Sequence, residues 1–344
     1  MRSWNRPAVL VAAAALTVSG LTAGTATGSD ADVPAGDQAP APAAHSAPSA
    51  PGAGFGLAAN GRSAQAINTK SKAAVRRAYR QRYAPTMEVP TGWTGSYAGC
   101  KAGNVTKRSR AATRQAINLV RAMAGLDPVG FRQNLNVQSQ RAALMMGANQ
   151  SLSHYPPRSW KCWSKAGAQA AQTGNLALRW PELRSGRVVE QYVDDEGSNN
   201  RAVGHRRWIL NPATRWMGTG STDIANAMVV VTPPAAGRAT PRWIPWPTAG
   251  WFPNQMEPKG RWSFSSSDPR HDFSHALVAV RVVNGRKLKV TRHRPEVGAG
   301  PNTLVWQVKP RASRAHRVTI TGIRDASTGK RFKRSYVVRL FNAR

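Results

Sequence analysis

The chain has 344 residues, with 49 Lys+Arg against 16 Asp+Glu and a formal net charge of +33. This length suits two modest domains, and the charge favours polyanionic partners through a long-range, salt-sensitive field. After the N-terminal apolar run, no segment is apolar enough to span a membrane. We therefore expect no transmembrane helix after that run.

The N-terminus has the pattern of a secretory signal peptide over residues 1–28. Arg2 and Arg6 precede an apolar run from Ala8 to about Thr22, and the small residues 26–28 offer a cleavage site. The run is about 15 residues, shorter than the ~20 that a spanning helix needs. We therefore expect a secreted protein, either released or associated with the cell wall; an uncleaved anchor is the alternative.

Residues 29–88 divide into a spacer and a basic segment. The Ala-, Pro-, Gly- and Ser-rich stretch to about residue 68 has too few large apolar side chains to offset its ordering entropy, which predicts a disordered spacer. Lys70–Arg82 is rich in cations and contains no acid. It is either an electrostatic contact segment or a solvated, frayed helix.

The first folded domain is predicted over residues 89–234. Helical periodicity indicates three helices, at about 107–126, 137–150 and 186–195. Long loops containing Gly, Ser and Trp separate them. The pattern favours an α+β layer over a helical bundle.

The second domain is predicted over residues 235–344, which carry 22 Lys+Arg and 5 Asp+Glu. Apolar alternation at 277–282 runs into Asn284-Gly285, the strongest short-range hairpin signal. Further strands are predicted at 303–308, 317–323 and 335–341. Regular strand spacing with intervening turns predicts a β-sandwich.

The chain has two cysteines, Cys100 and Cys162. Export to an oxidising compartment would favour a disulfide between them, and closing a loop of this size stabilises a fold by roughly 4 kcal/mol. Two buried free thiols are the alternative. The spacing matches no zinc pattern.

The candidate chemistry lies in the first domain, which contains two histidines, His154 and His205. Between them are three consecutive acids, Asp194, Asp195 and Glu196. Adjacent carboxylates repel one another, so they need a nearby cation, a helix start or plain solvation.

Several segments together resemble the CAP superfamily of cysteine-rich secretory, antigen 5 and pathogenesis-related proteins. They are Asn118–Arg121 with Gly125–Pro128, Ala142–Leu144 leading to Leu152–His154, and Gly204-His205-Arg206-Arg207-Trp208-Ile209-Leu210. The resemblance covers about residues 95–220 and implies an α-β-α sandwich. The Gly-His-Arg-Arg-Trp segment is similar to a bacterial branch in which a β domain often follows, and Trp246-Pro247 and Trp262–Phe264 look like its start.

The resemblance also implies a cavity lined by two histidines and two acids that can bind a divalent cation such as zinc. His154 and His205 match the histidines, the second of which the family places on a central strand. Asp195 matches the acid of the third helix, with Asp194 and Glu196 as neighbours. The other acid normally lies in a Gly-Glu-Asn segment, where this chain has Gly174.

Two imidazoles and one carboxylate would make a zinc or related divalent site. Alternatively, the histidines form hydrogen bonds across a polar cavity without a metal. No residue is assigned a catalytic role. Arg206 and Arg207 are candidate anion-binding residues; on a strand they would instead alternate between the acidic cluster and solvent.

The sequence therefore predicts a secreted, non-enzymatic binding protein with a CAP cavity that is able to hold a divalent metal. Its charge attracts it to anionic cell-wall polymers or lipid headgroups, in preference to nucleic acid. One alternative is a metal-dependent extracellular hydrolase using His154, His205 and Asp195. Another is a structural module with a vestigial cavity, in which the β domain makes the contacts.

Overall fold

A computed structural model describes residues 11–12, 61, 63–296 and 300–344. The predicted signal peptide, apart from the backbone of residues 11–12, and most of the predicted spacer lie outside this range. Within the described part of the chain, no helix combines the length and the apolar character needed to cross a membrane.

The first half of the chain mixes helices with short strands. In chain order these elements are β1 (Val11–Ala12), α1 (Lys72–Ala78), α2 (Lys107–Met123), β2 (Gly130–Phe131), α3 (Gln133–Asn149), α4 (Lys165–Gln172), β3 (Gly174–Leu178), α5 (Ser185–Asp194), α6 (Gly204–Ile209), β4 (Trp216–Ser221) and β5 (Ala225–Val229). Ser71, Thr106 and Ser164 begin α1, α2 and α4 by accepting a hydrogen bond from a backbone N–H of the first turn.

The strands of this half form one sheet in the order β1-β3-β5-β4-β2. Leu176 and Leu178 of β3 pack in a cluster with α3 and α4, whereas Ala177 joins the cluster that contains α2 and α5. Because alternate residues of a strand face opposite sides, helices cover both faces of the sheet. The predicted α-β-α sandwich is confirmed.

The three helices predicted from periodicity are present as α2, α3 and α5, with ends shifted by up to four residues. The basic segment before them is a helix that packs against the domain. Val75, Tyr79 and Tyr83 belong to the main core, and Arg80 donates to the Ala343 carbonyl at 3.0 Å. This segment is therefore part of the folded unit.

The expectation that His205 lies on a strand is wrong. Gly204–Ile209 forms the short helix α6. It follows a tight turn in which Val203 takes a left-handed conformation with φ 50°. A helix of six residues is too short to produce a helical period that the sequence would reveal.

The second half of the chain is all β. Its strands are β6 (Trp243–Trp246), β7 (Gly250–Pro253), β8 (Arg261–Ser266), β9 (His271–Asp272), β10 (Leu277–Val282), β11 (Val290–Arg292), β12 (Thr303–Val308), β13 (Ala315–Asp325) and β14 (Arg331–Phe341). One sheet has the order β10-β13-β14-β7 with β9 beside β13, and the other has the order β11-β12-β8-β6. Fully buried Trp246, Trp262 and Trp306 belong to the core shared by the two sheets. The all-β fold of this region is confirmed.

The Asn284-Gly285 hairpin is shorter than expected. The turn forms, since Val282 and Arg286 are hydrogen-bonded across it and Leu288 donates to Val280. Beyond it, however, β11 pairs with β12 in the opposite sheet. The sequence predicted the turn but not that the chain passes from one sheet to the other between β10 and β11. Strands of both sheets have the same apolar alternation, so the pattern does not tell which sheet a strand joins.

One hydrophobic core runs through both halves, from Ile67 to Ala343. The described residues from 61 onwards belong to a single compact unit. We keep the division into residues 89–234 and 235–344 as a proposal based on the change from mixed to all-β structure.

Cys100 and Cys162 form the predicted disulfide, with 5.0 Å between their Cα atoms. It ties the loop before α2 to the loop that follows His154.

Candidate functional site

His205 and Asp195 form a buried pair at the centre of the first domain. Asp195 follows the last residue of α5 in a left-handed conformation with φ 53°. Its Oδ1 lies 2.7 Å from Nδ1 of His205, and the side chains are 0% and 3% exposed. The Tyr192 ring stacks on the imidazole with a centroid separation of 5.4 Å.

The second oxygen of Asp195 is also used inside the protein. Oδ2 accepts the backbone N–H of Arg206 at 3.2 Å. Asp195 therefore fixes the His205 ring and the start of α6 together. With Nδ1 bound to Asp195, Nε2 is the nitrogen through which the imidazole would bind a metal or substrate.

His154 is oriented in a similar way, by a contact of its Nδ1 with a backbone oxygen. It lies half-buried in the loop after α3, and its Nδ1 is 2.7 Å from the carbonyl oxygen of Ala171 in α4. Both predicted histidines thus have Nδ1 against an oxygen acceptor. Metal-binding histidines commonly use this arrangement, because it fixes the tautomer and presents Nε2.

The other two acids of the cluster are in different surroundings. Glu196 pairs with Lys259, in the all-β half. Asp194 is half-buried; burial, and then the negative charge of Glu190, raise the pKa of its carboxyl well above its usual range. Asp195 and Glu196 thus each have a partner within the protein, whereas the raised pKa of Asp194 favours its neutral form, which reduces the repulsion among the three carboxylates.

Arg206 is buried and ties the two halves of the protein together. Its guanidinium donates to the carbonyls of Val193 at 2.6 Å and Asp194 at 3.1 Å, at the end of α5. It also donates to the Arg261 carbonyl at 2.8 Å and to Ser263 Oγ at 3.0 Å in β8. Burial lowers the pKa of Arg206 to about 10.

Arg207 is buried as well, and it donates to the carbonyl of Pro301 at 3.1 Å. Burial lowers its pKa to about 10. The two predicted anion-binding arginines therefore bind carbonyl oxygens within the protein.

Gly174, where the resemblance implies a glutamate, begins β3 in a space too narrow for a side chain. A Cβ atom there would lie 2.6 Å from the Ala170 carbonyl oxygen and 2.9 Å from that of Met228. The next residue, Asn175, donates to the His205 carbonyl at 3.1 Å. The backbone has closed over the position that the second acid would occupy.

A second titratable group, missed by the sequence analysis, lies in the all-β half. Asp268, His271 and Asp325 are buried and can each offer one atom within 4.8 Å of the others, so the group could hold a metal ion. No sequence motif indicates this group, because Asp325 is on a different strand and is distant in sequence from the other two residues.

Hydrogen bonds already occupy much of this group. Arg242 lies 3.1 Å from Nε2 of His271, and Ser266 Oγ lies 2.6 Å from Nδ1. Since a guanidinium only donates, Nε2 accepts and Nδ1 carries the proton. Burial lowers the pKa of His271, which favours this neutral form. A metal ion would have to displace Arg242 from the ring.

The outward face of the sheet β10-β13-β14 is lined with cations. Arg281 of β10 is directly opposite Arg317 of β13, and Arg339 of β14 is opposite the neighbouring Ala315. Exposed Arg331 and Lys333 continue the row along β14. One acidic residue interrupts these positive charges in the described part of the sheet: Asp272 of β9 is in register with Arg324 at one end of the face. We call this surface, formed by Arg281, Arg317, Arg331, Lys333 and Arg339, the basic face.

Residues 114–232 match the model of the cysteine-rich secretory protein family, CAP. The match begins in α2 and ends just beyond β5, so it includes His154, the acidic cluster and His205. The chain matches no curated protein. The match and the α-β-α fold together show that the chain contains a CAP domain at residues 114–232, which an all-β C-terminal region follows.

Proposed function

We propose that the protein is a secreted, non-enzymatic binding protein that attaches to anionic cell-surface polymers through the basic face. The observation that carries this proposal is the cross-strand pair Arg281 and Arg317. Like charges directly opposite each other destabilise a sheet. An anionic partner would remove that cost, and it would be attracted by the net charge of the molecule.

The distribution of acids supports the same conclusion. Many carboxylates are engaged within the protein: Asp195 with His205, Asp268 with Arg270, and Glu257 with the Trp262 indole and the Gly260 amide. Such acids do little to shield the exposed arginines and lysines of the sheet. A row of cations along extended strands suits a repeating polyanion better than a single small anion.

Binding to isolated bacterial cell walls across a salt series tests the proposal. We expect binding at low salt that weakens steadily as salt rises, because exposed charges are screened over about 10 Å at 0.1 M. Walls stripped of their anionic polymers should bind little. Salt-insensitive binding, or equal binding to stripped walls, would contradict the proposal, and preference for vesicles of anionic phospholipid would move the partner from the wall to the membrane.

A divalent metal in the CAP cavity is a second candidate, favoured by the orientation of the two histidines. His154 and His205 would hold the ion through Nε2, and Asp195 would orient His205. A metal bound there would supply a Lewis acid and a more acidic water, which is what the alternative hydrolase function requires. The space at Gly174 offers no further carboxylate.

Zinc titration calorimetry on the purified protein and on H154A and H205A checks this candidate. We expect one zinc ion per protein, lost in either variant, since few ligands remain after one is removed. H271A should bind zinc as the parent does. Zinc binding that persists in H154A and H205A but is lost in H271A would place the metal at the Asp268 group instead.

A further inference from the structure

We infer that the cavity between α2 and the all-β half binds a small oxyanion, a carboxylate or phosphate monoester, carried on an apolar body. The cavity has a volume of about 350 Å³, within the range of small-molecule sites. It lies on the opposite side of β14 from the basic face, so this site is separate from the proposed polymer contact.

Two guanidinium groups supply the positive charge. Arg242 and Arg334 both line the cavity, together with the Trp243 ring. Arg334 lies 5.1 Å from the Trp243 ring centroid, and Arg242 lies 4.7 Å from that of Phe332. Among the described residues, neither arginine has a carboxylate within 4.0 Å, since every ion pair found there involves other arginines, lysines or histidines.

The two arginines are a source of unbalanced charge. Burial, and then the nearby positive charge of Arg242, lower the pKa of Arg334. Stacking on shared aromatic rings offsets part of this repulsion, but an anion between the guanidiniums would offset more, through charge-assisted hydrogen bonds.

Two hydroxyl groups in the wall have no partner within the described chain. Thr248 is 4% exposed, and its buried Oγ1 makes no hydrogen bond there. The buried hydroxyl of Tyr336 is in the same situation. Both residues line the cavity. Buried polar groups are nearly always hydrogen-bonded, so an unpaired pair in one cavity indicates a ligand that accepts from them.

The rest of the wall is apolar. Met123 and Ala124, at the end of α2, line it together with Pro245 and the Phe264 ring. No acidic residue lines it among the residues described. An oxyanion at the arginines and hydroxyls, with an alkyl or aromatic body against these side chains, matches the charged, polar and apolar groups named here.

Calorimetric titration of the purified protein with decanoate, monodecyl phosphate and decanol tests this inference. We expect at least one of the two anions to bind and decanol to bind at least tenfold more weakly, because it lacks the charge. The relative affinity of decanoate and monodecyl phosphate identifies the headgroup. R334Q should weaken anion binding about tenfold or more, and T248V should weaken it less.

R339Q is the matched control: it removes the same charge from the same strand, but from the opposite face. It should bind the anions as the parent does, while R334Q should keep its binding to cell walls. Failure of both anions to bind would overturn the inference. Equal affinity for decanol and the anions, or unchanged anion affinity in both R334Q and T248V, would overturn it as well. Circular dichroism establishes that each variant is folded.

Discussion

At position 174 the chain has glycine where its family resemblance implies glutamate, and the structure explains what the exchange does. The carbonyl groups of Ala170 and Met228 come so close that any side chain would displace the backbone. Asn175 beside it is bonded to the backbone of His205. The glycine therefore allows β3 to lie close against the end of α4 and against β5.

Gly174→Ala should destabilise the protein by about 1–3 kcal/mol, the usual cost of inserting a methyl group into a closely packed site. Urea unfolding measures the change. Gly204→Ala is the control, because nothing lies within 4 Å of a Cβ atom at the start of α6, and alanine favours a helix over glycine. Equal stability of the two variants would show that the backbone around Gly174 relaxes freely.

The sequence identified His154, His205 and Asp195, but not what each one contacts. Asp195 was predicted as a metal ligand, yet both of its oxygens have partners within the protein. Its ligand role remains a prediction; its contact with His205 is what the structure shows. Spacing along the chain cannot distinguish a ligand from the residue that orients it, because both lie near the same imidazole.

Among the helices and strands, the apolar periodicity of the sequence identified the elements that are long enough to show a repeat. Helices α2 and α3, of 17 residues each, and the long strands β13 and β14 were predicted near their observed positions. Helices α4 and α6 were missed, because eight and six residues give too few turns for an apolar face to be recognised. Tertiary contacts set the positions of such short helices, as the hydrogen bonds of the Arg206 guanidinium do for α6.

The turn between β13 and β14 gives a prediction about pH. Asp325 accepts hydrogen bonds from Ser327 Oγ at 2.6 Å and from the backbone amides of Ser327 and Thr328. The Ser327 hydroxyl and these amides lower the pKa of Asp325 to about 2. The unfolded chain has the ordinary value near 4, so the unfolded state takes up protons first as the pH falls. The stability contributed by the carboxylate is present above about pH 4 and is lost between about pH 4 and pH 2.

Asp325→Asn should therefore be less stable than the parent at pH 5, and the difference should shrink by pH 3. Urea unfolding of both proteins across this range measures it, and the comparison cancels the titration of the other carboxylates. A difference that stays constant between pH 5 and pH 3 would show that the turn does not depend on the charge of Asp325.

At the scale of the whole molecule, charge and fold serve separate purposes. The core runs through both halves and is apolar, apart from buried contacts such as Arg121 and Arg206, which bind carbonyl groups. The remaining cations are mostly on the surface, and the all-β half holds the larger share of the net charge. The sequence showed this excess but could not show that β10, β13 and β14 collect it on one face, since strand order is not written in local patterns.

The most direct test of the account compares two double variants in binding to isolated cell walls at low salt. Arg281→Gln/Arg317→Gln removes two charges from the basic face, and Arg108→Gln/Arg114→Gln removes two exposed charges from α2. Both lower the net charge equally, so a difference between them reports the surface and not the total. We expect at least several-fold weaker binding for the first variant and nearly unchanged binding for the second. Equal loss in both would contradict this expectation and leave binding to the overall charge alone.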